Sequence, residues 1–254
     1  MWVRMLGSGT SSGVPRIGND WGACDPDNPR NRRLRASVLV AGAGQTVLID
    51  SGPDLRAQLL AADVARIDAV LWTHDHADHT HGIDDLRQVF HARGRPTDGY
   101  ARPDTLQSLG HRFGFGFDGK DGCPPSVIGH NLGPRLNLNG LSIRVADLPH
   151  GAVTSTALRF DHDGRSFVYT TDFTDLTDEA EALLFGVDLW IVDALRLRPH
   201  PTHPHLDLAL EWIERLRPKR AILTHMDQSM DYETLTASLP EGVEPGYDGL
   251  EVEW

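Results

Sequence analysis

The stretch Val70-Leu71-Trp72-Thr73-His74-Asp75-His76-Ala77-Asp78-His79 carries the clearest signal for the fold and chemistry of this protein. An apolar run typical of a buried strand stops at threonine, and an H-x-H-x-D-H pattern follows at once. Imidazole and carboxylate groups are common ligands of transition metals, and His74 and His76 are spaced to bind one ion. Asp78 and His79 are placed to bind a neighbouring ion. A histidine-rich surface loop has no reason to follow a buried strand directly, so the pattern predicts a dinuclear metal site.

Two further apolar strands end in the same way. Phe167-Val168-Tyr169-Thr170-Thr171 is followed by Asp172, and Ala221-Ile222-Leu223-Thr224 is followed by His225. In folds built from layered sheets, such strand ends collect at one edge, where the connecting loops carry the chemistry. We therefore expect His74, Asp172 and His225 to converge on one rim of the structure.

Short strands dominate the rest of the chain, with helices interspersed. We predict strands at Val3–Leu6, Ser37–Val40, Thr46–Ile49, Ala69–Trp72, Leu141–Val145, Thr156–Phe160, Ser166–Tyr169, Leu189–Val192 and Ala221–Leu223, and helices at Leu55–Ala62, Leu86–Ala92 and Leu206–Leu216. The polar stretch from Arg93 to Pro134 is expected to form loops around a few short elements. This order favours packed sheets with helices outside them, in a single domain over residues 1–254.

The composition excludes several classes of protein. Of 254 residues, 24 are Lys or Arg and 36 are Asp or Glu, so the net charge is −12, which disfavours an extended nucleic-acid or anionic-membrane surface. No apolar run approaches the roughly 20 residues of a membrane span, and the N-terminus lacks the features of a signal peptide. Cys24 and Cys123 are too few for a disulfide framework. We expect a cytoplasmic enzyme with no extended nucleic acid and no membrane as partner.

With these motifs the chain resembles the metallo-β-lactamase fold superfamily of dinuclear hydrolases. Besides the H-x-H-x-D-H motif, the resemblance rests on Leu48-Ile49-Asp50-Ser51-Gly52, Leu148-Pro149-His150-Gly151, Thr170-Thr171-Asp172 and Leu223-Thr224-His225. It implies a four-layer αββα sandwich, an α/β fold that some schemes class as α+β. The dinuclear site would then lie at the sheet edge.

The resemblance also implies a role for each residue of the site. It assigns one ion to His74, His76 and His150, the other ion to Asp78, His79 and His225, and both ions to Asp172. Asp50 resembles the carboxylate that orients a ligand histidine from behind. Seven His and Asp ligands without a thiolate suit Zn²⁺, Mn²⁺ or Fe²⁺. We therefore expect two divalent cofactor ions, Zn²⁺ or Mn²⁺.

A narrower resemblance is to the phosphoribosyl 1,2-cyclic phosphate phosphodiesterase family. It is carried by Leu6–Pro15, Asn31–Ser37, His81–Arg87, Arg198–His203 and Pro218–Ala221. This resemblance implies hydrolysis of a strained cyclic phosphodiester by a hydroxide bridged between two metals, which also clamp the phosphoryl oxygens. The implied partner is a small-molecule phosphodiester. The oligomeric state is left open, with a homodimer as one alternative.

The same resemblance nominates a catalytic histidine. His203 occupies the position of the proton donor to the leaving alkoxide, and acts beside Asp172. His200 and His205 are rivals close in sequence, either as the donor or as substrate contacts.

Three arginines near the N-terminus are candidates for substrate contact. Arg32, Arg33 and Arg35 could hold the substrate phosphate through bidentate guanidinium contacts. The alternative is an ordinary solvated loop.

The chain departs from the family pattern in one place. Many members hold an additional structural zinc with several N-terminal cysteines and a later histidine, whereas here Cys24 stands alone and Gln228 replaces that histidine. A structural zinc site needs four closed ligands. We therefore expect no structural cysteine zinc site, and the N-terminal loop must be held by other contacts.

Three other functions compete with the cyclic phosphodiesterase. A nuclease resembling the tRNA 3′-end-processing endonucleases shares the ligand set, although the net charge of −12 counts against extended RNA binding. Thioester or lactone hydrolysis occurs elsewhere in the superfamily. A non-catalytic nucleotide or metal binder is the third alternative, and a complete ligand set with a candidate acid argues against it.

Overall fold

Two mixed β-sheets form the centre of the computed structural model, which describes residues 1–253. Within this range the strands are β1 (Trp2–Gly7), β2 (Ser37–Gly42), β3 (Gln45–Ile49), β4 (Ala69–Leu71), β5 (Thr97–Ala101), β6 (Val127–Asn131), β7 (Arg135–Leu138), β8 (Leu141–His150), β9 (Val153–His162), β10 (Arg165–Thr170), β11 (Leu189–Asp193), β12 (Arg220–Thr224), β13 (Val243–Pro245) and β14 (Glu251–Glu253). The first sheet has the order β14-β1-β2-β3-β4-β5-β6, and the second has the order β13-β12-β11-β10-β9-β8-β7.

Helices cover the outer face of each sheet. They are α1 (Leu55–Ala62), α2 (Ala77–Thr80), α3 (Leu86–Arg93), α4 (Pro103–Arg112), α5 (Gly114–Asp118), α6 (Asp178–Leu184), α7 (Leu206–Leu216) and α8 (Tyr232–Ser238), with 3₁₀ turns at Pro29–Asn31 and Ile83–Asp85. Three of the helices end where the chain turns left-handed, α1 at Asp63, α3 at Gly94 and α7 at Arg217 just before Pro218. No helix in the described part of the chain combines the length and apolarity that crossing a membrane requires.

Three apolar clusters define the layers. Val38, Ile49 and Phe160 belong to the cluster between the two sheets. Trp72 belongs to the cluster that joins the first sheet to α1, α3 and α4, and Trp190 to the one that joins the second sheet to α6, α7 and α8. The predicted four-layer αββα sandwich is therefore confirmed.

Strand direction places the functional edge. The first sheet is parallel from β3 to β6, and the second is parallel from β10 to β13. Parallel neighbours end at the same edge of a sheet, and their connecting loops meet there. The segments after β3, β4, β10, β11 and β12 all leave from these edges.

Each predicted strand and helix is present in the structure, but α2, α6, α8, β7, β13 and β14 were not predicted, and two regions differ further. The helices at Leu55–Ala62 and Leu206–Leu216 have the predicted bounds, because both carry a clear apolar face. The stretch from residue 93 to 134 is more ordered than expected, since it contains the ten-residue helix α4 as well as α5, β5 and β6. Strands β8 and β9 are each ten residues long, because they pair with each other along their whole length.

Candidate metal centre

Strained backbone follows three of the strands that reach the functional edge. Asp50 after β3, Asp172 after β10 and His225 after β12 have φ values of 61°, 53° and 58°. The left-handed region is unfavourable for residues with a Cβ atom and costs on the order of 1 kcal/mol each. Such strain persists where the surrounding structure enforces it, so these three turns mark a candidate functional site.

The outer group consists of His74, His76, His150 and Asp172, whose donor atoms lie within 4.8 Å of one another. His150 Nε2 is 3.3 Å from His76 Nδ1 and 3.6 Å from Asp172 Oδ2. His74 Nε2 is 3.7 Å from the same carboxylate oxygen. His76 is exposed, so this group faces solvent on one side.

The inner group consists of Asp78, His79, Asp172 and His225, with donor atoms again within 4.8 Å. Asp172 Oδ1 lies 3.2 Å from His79 Nε2 and 3.3 Å from His225 Nε2. Both histidines are buried. One carboxylate therefore turns Oδ2 toward the outer group and Oδ1 toward the inner group, which is the geometry of a ligand shared by two cations.

Asp50 lies behind both groups and is fully buried. His79 Nδ1 donates to Asp50 Oδ2 over 2.8 Å. The Thr73 hydroxyl donates to the same oxygen over 2.9 Å and lies 3.0 Å from His74 Nδ1, so it can accept from that imidazole. These contacts place the proton of each ring on Nδ1 and leave the Nε2 lone pair directed at the other donor atoms of the two groups.

The two groups differ in charge when no cation is present. Burial, reinforced by neighbouring imidazoles, lowers the pKa of His74 well below its usual value, and burial also lowers the pKa of His150. Burial opposes protonation of His225 as well, but the carboxylates of Asp172 and Asp193 raise its pKa to about 9. Asp172, Asp78 and Asp50 raise the pKa of His79 in the same way.

His203 lies next to Asp172 and is held in place by a buried aspartate. Its Nδ1 lies 2.8 Å from Asp193 Oδ2, and its Nε2 lies 3.8 Å from Asp172 Oδ2. The Asp193 carboxylate also accepts from the backbone N–H of Asp172 over 3.0 Å. The ring of His203 is 11% exposed and so can be reached from outside.

Unpaired nitrogen atoms test whether these residues fit metal ions. Among the described residues, the buried Nε2 atoms of His74, His79 and His225 make no hydrogen bond, although each faces an Asp172 oxygen. Buried polar atoms are normally paired. A cation in each group would accept these lone pairs and balance the carboxylate charge, so the donor set fits two divalent ions.

The residues proposed for substrate contact have different surroundings. Arg35 Nη1 lies 3.1 Å from Asp54 Oδ1, and Arg32 lies over the ring of Trp21. Arg33 corrects an expectation, because its guanidinium is buried and donates to the carbonyl oxygens of Asp227 and Met230. It is therefore unavailable to a substrate and instead fastens the N-terminal loop.

The two rivals of His203 also lie in the loop before α7. His200 accepts at Nδ1 from the backbone N–H of Thr202, whose carbonyl oxygen accepts from His150 Nδ1 over 3.0 Å. His205 stands at the N-cap position of α7, where its side chain makes no capping hydrogen bond. Of the three histidines, His203 is the one whose donor atoms belong to a group able to hold a metal ion among the described residues.

Asp193 is a functional candidate that the sequence reasoning missed. It ends the buried strand β11, in the way that Asp172 and His225 follow β10 and β12. The same strand-end rule therefore could have found it. The hydroxyl of Thr73 was also missed, because its value depends on two side chains that only the fold brings together.

The N-terminal loop is held by contacts other than a cysteine cluster. Cys24 and Cys123 are both free thiols, and burial raises the pKa of Cys24. Arg33 Nη1 lies 3.7 Å from Cys24 Sγ. The backbone N–H of Ala23 donates to the carbonyl oxygen of Gln228, which ties the loop to the segment after His225.

Comparison with known proteins identifies relatives of this chain in sequence and in structure. The model of the beta-lactamase superfamily domain matches residues 45–226. The crystal structure of a new diphosphatase from the PhnP family superimposes with a TM-score of 0.90 at 36% identity, and the match covers 100% of this chain and 97% of that one.

Two curated relatives are similar in sequence. An octanoyltransferase of Porphyromonas gingivalis is 33% identical over 263 residues, covering 97% of this chain and 50% of the relative. A ribonuclease Z of Mycobacterium bovis is 30% identical over 207 residues, covering 74% of this chain and 69% of the relative. The chain thus spans about half the length of the octanoyltransferase that it matches.

The family resemblance predicted from the sequence motifs is confirmed by these matches. The model match covers most of the chain, and the structural match extends over all of it. The chain belongs to the beta-lactamase superfamily and, within it, to the PhnP family.

Proposed function

We propose that the chain hydrolyses a small phosphodiester, and specifically a strained cyclic phosphate of the phosphoribosyl 1,2-cyclic phosphate type. The observation that carries this proposal is the shared Asp172 carboxylate, which turns one oxygen to each of two histidine groups. Paired cations at such a site act on phosphate esters in several hydrolase classes. The outer group is open at His76, so a small substrate has access.

Each group would hold one divalent cation, Zn²⁺ or Mn²⁺. His74, His76 and His150 would bind the outer ion, Asp78, His79 and His225 the inner ion, and Asp172 both. When bound, the two cations lower the pKa of water and neutralise charge on the phosphoryl oxygens. Asp50 keeps His79 in the required tautomer directly, and keeps His74 in it through Thr73.

His203 would supply the proton that the leaving group needs. The Asp193 carboxylate holds the proton of His203 on Nδ1, so that Nε2 faces the cluster. A cyclic sugar phosphate expels an alkoxide, which is a poor leaving group without protonation. A positioned acid contributes about 10²–10⁴-fold in rate, or roughly 3–5 kcal/mol of barrier.

Two observations favour other substrates at the same centre. The PhnP-family structure at 36% identity is titled a diphosphatase, which favours a diphosphate linkage. The ribonuclease Z relative favours an RNA phosphodiester, although this chain carries a net charge of −12. A diphosphate expels a phosphate group, which needs less protonation than an alkoxide, so dependence on His203 separates the first alternative from a cyclic ester.

The test is a substrate panel combined with elemental analysis. Protein loaded with Zn²⁺ or Mn²⁺ is expected to hold about two ions per chain and to hydrolyse a cyclic sugar phosphate and bis(p-nitrophenyl) phosphate. A diphosphate, a precursor tRNA and a thioester are the comparison substrates. Faster turnover of any of these three than of the cyclic phosphate would contradict the proposal.

A further inference from the structure

The loop that joins β11 to α7 is closed by its own backbone. The N–H of Leu195 donates to the carbonyl oxygen of Pro204 over 3.0 Å. The N–H of Leu206 donates to the carbonyl oxygen of Arg196, also over 3.0 Å. Three of the residues between these ends are prolines, each with a fixed φ angle. Residues 196–205 therefore form an ordered loop, which we call the proline-rich loop.

Thr202 connects the proline-rich loop to the outer group. Its carbonyl oxygen accepts from His150 Nδ1 over 3.0 Å, and so orients the ring whose Nε2 belongs to that group. The Thr202 methyl group lies close to Gly151, where a Cβ atom would approach it to 3.3 Å. Thr202 is followed directly by His203, whose Nδ1 lies 2.8 Å from Asp193 Oδ2. The position of Thr202 therefore affects both an outer ligand and the candidate acid.

One side chain of the same loop fixes the backbone of Thr202. The Thr202 N–H donates to His200 Nδ1 over 3.2 Å, and the Thr202 hydroxyl lies 3.3 Å from the same nitrogen. A backbone N–H can only donate, so Nδ1 of His200 accepts and the proton of the neutral ring is on Nε2. Burial lowers the pKa of His200, which favours the neutral ring. Asn and Asp side chains fix turns in the same way, by bonding the backbone two residues further on.

These contacts run from His200 through one residue to two functional histidines. We propose that His200 is a positioning residue, which fixes Thr202 so that the proline-rich loop orients His150 and places His203 beside Asp172. In this role His200 neither protonates the leaving group nor binds a cation. Among the described residues, it belongs to no group able to hold a metal ion. The inference rests on the outer metal site and the acid of the proposed function, and it names a residue that supports both.

The protonation state of the His200 ring tests the first step in the wild-type protein. Nitrogen-15 NMR of Zn²⁺-loaded protein at about pH 8, where histidine is ordinarily neutral, should show the His200 proton on Nε2 and the His150 proton on Nδ1. The His200 signals are assigned from their absence in His200→Asn. A His200 ring with its proton on Nδ1 would overturn the proposal, because that nitrogen could not accept from Thr202.

Two substitutions of similar shape test the effect of the acceptor on metal binding. His200→Leu removes the acceptor and should weaken the outer cation about tenfold while leaving the inner cation unchanged, because His150 belongs only to the outer group. His200→Asn keeps an acceptor that bonds the backbone two residues on, and should bind the outer cation within about twofold of wild type. His91→Leu changes an exposed histidine of α3 and should alter neither affinity. Competition titrations of Zn²⁺ with a chelator measure both affinities.

Three results of these titrations would contradict the proposal. One is an unchanged outer affinity in His200→Leu, and another is an equal loss in His200→Leu and His200→Asn. The third is an equal loss of both cations from His200→Leu, which would indicate general disruption of the loop. The tautomer measurement does not depend on His200→Leu, so it decides the proposal if circular dichroism shows that this variant does not fold.

Turnover separates this inference from the proposed function. With Zn²⁺ saturating, His200→Leu should lower kcat for a cyclic sugar phosphate by roughly fivefold, the effect of one hydrogen bond, and lower it less for bis(p-nitrophenyl) phosphate. Equal losses for the two substrates would contradict the link to His203. If no phosphodiester is hydrolysed but the outer affinities follow the expected order, the proposed function is wrong and the role of His200 stands. If diesters are hydrolysed and the Leu and Asn variants have equal affinities, the role of His200 is wrong and the proposed function stands.

Discussion

The outer and inner groups share one carboxylate but differ in burial and in charge. His76 leaves the outer group open to solvent, whereas His79 and His225 of the inner group are buried. Burial lowers the pKa of His74 in the outer group, while nearby carboxylates raise the pKa values of His79 and His225 in the inner group.

This difference indicates a division of labour. The inner group combines two carboxylates with two buried histidines, which suits firm retention of a cation. The outer group has three histidines, one carboxylate and an open side, which suits a cation that also contacts substrate. Asp172 couples the two, since each of its oxygens serves one group.

The largest effect is expected from removing the shared carboxylate. Asp172→Ala should abolish detectable turnover and lower the bound metal from about two ions per chain to less than one. The loss at each group should exceed the roughly 10- to 100-fold that follows from changing a residue that only orients a ligand. Elemental analysis after dialysis measures it, with Glu241→Ala as an exposed acidic control. Two ions retained by Asp172→Ala would contradict the shared role.

The next largest effect is expected on turnover alone, with both groups still holding their metal ions. His203→Ala is expected to reduce kcat for a cyclic sugar phosphate by about 10²–10⁴-fold, because the alkoxide then leaves unprotonated. The loss should be much smaller for bis(p-nitrophenyl) phosphate, whose leaving group is a stable anion. Asp193→Asn should show the same pattern in weaker form.

Controls for His203 come from its own loop. His205→Ala should reduce turnover less, because His205 stands at the start of α7 and takes no part in the groups able to hold metal. Metal content is measured in parallel by elemental analysis. If His203→Ala loses metal in proportion to activity, His203 is a ligand and not a proton donor.

Two substitutions behind the ligands are expected to weaken the two groups to different extents. Asp50→Ala should weaken metal binding by about 10- to 100-fold, chiefly at the inner group, because Asp50 contacts His79 directly. Thr73→Val removes only the hydroxyl that links His74 to Asp50 and should weaken the outer group more than the inner one. Competition titrations with a chelator resolve the two affinities. Identical changes in both variants would argue against separate support.

The smallest effect on turnover is expected from Asp248, which supports the inner side from a distance. Its carboxylate accepts from the backbone N–H groups of Ser8 and Leu34, and the Ser8 carbonyl oxygen accepts from Met226 N–H, next to His225. Burial raises the pKa of Asp248 to about 7. Between about pH 4 and pH 7, the folded protein therefore keeps a proton on Asp248 that the unfolded chain has released.

The direction of this pKa shift predicts how the free energy of unfolding changes with pH. Stability contributed by protonated Asp248 is present below about pH 4 and is lost as the pH rises through 7, by roughly a few kcal/mol in total. Asp248→Asn should flatten that part of the pH profile while changing turnover little. Urea unfolding at several pH values measures it, and an unchanged slope in the variant would show that another group is responsible.

Much of the candidate site follows from local sequence pattern. The apolar strand ends before His74, Asp172 and His225 predicted that these side chains meet at one rim, and the structure brings them together. The same rule covers Asp193, which the sequence reasoning missed although it ends β11. Helix α4 was missed for a different reason, because its region is polar in sequence and the helix packs against β5 and β6, which are distant from it in local pattern.

The charge of an arginine side chain was not enough to predict whether it can contact substrate, because that also depends on burial. Arg33 carries the same side chain as Arg32 and Arg35, yet it is buried against carbonyl oxygens of a segment almost 200 residues away. Nothing local distinguishes these three arginines. The distinction arises only when the N-terminal loop folds against the turn that follows β12.

The order of residues is enough to predict which chemical groups stand at strand ends, because alternation, apolar runs and the H-x-H-x-D-H spacing are local properties. Tertiary structure decided which oxygen of Asp172 faces which group and that Asp193 orients His203. These arrangements join side chains from separate strands and from two sheets. Their distances are therefore set by sheet pairing and core packing, which no short stretch of sequence encodes.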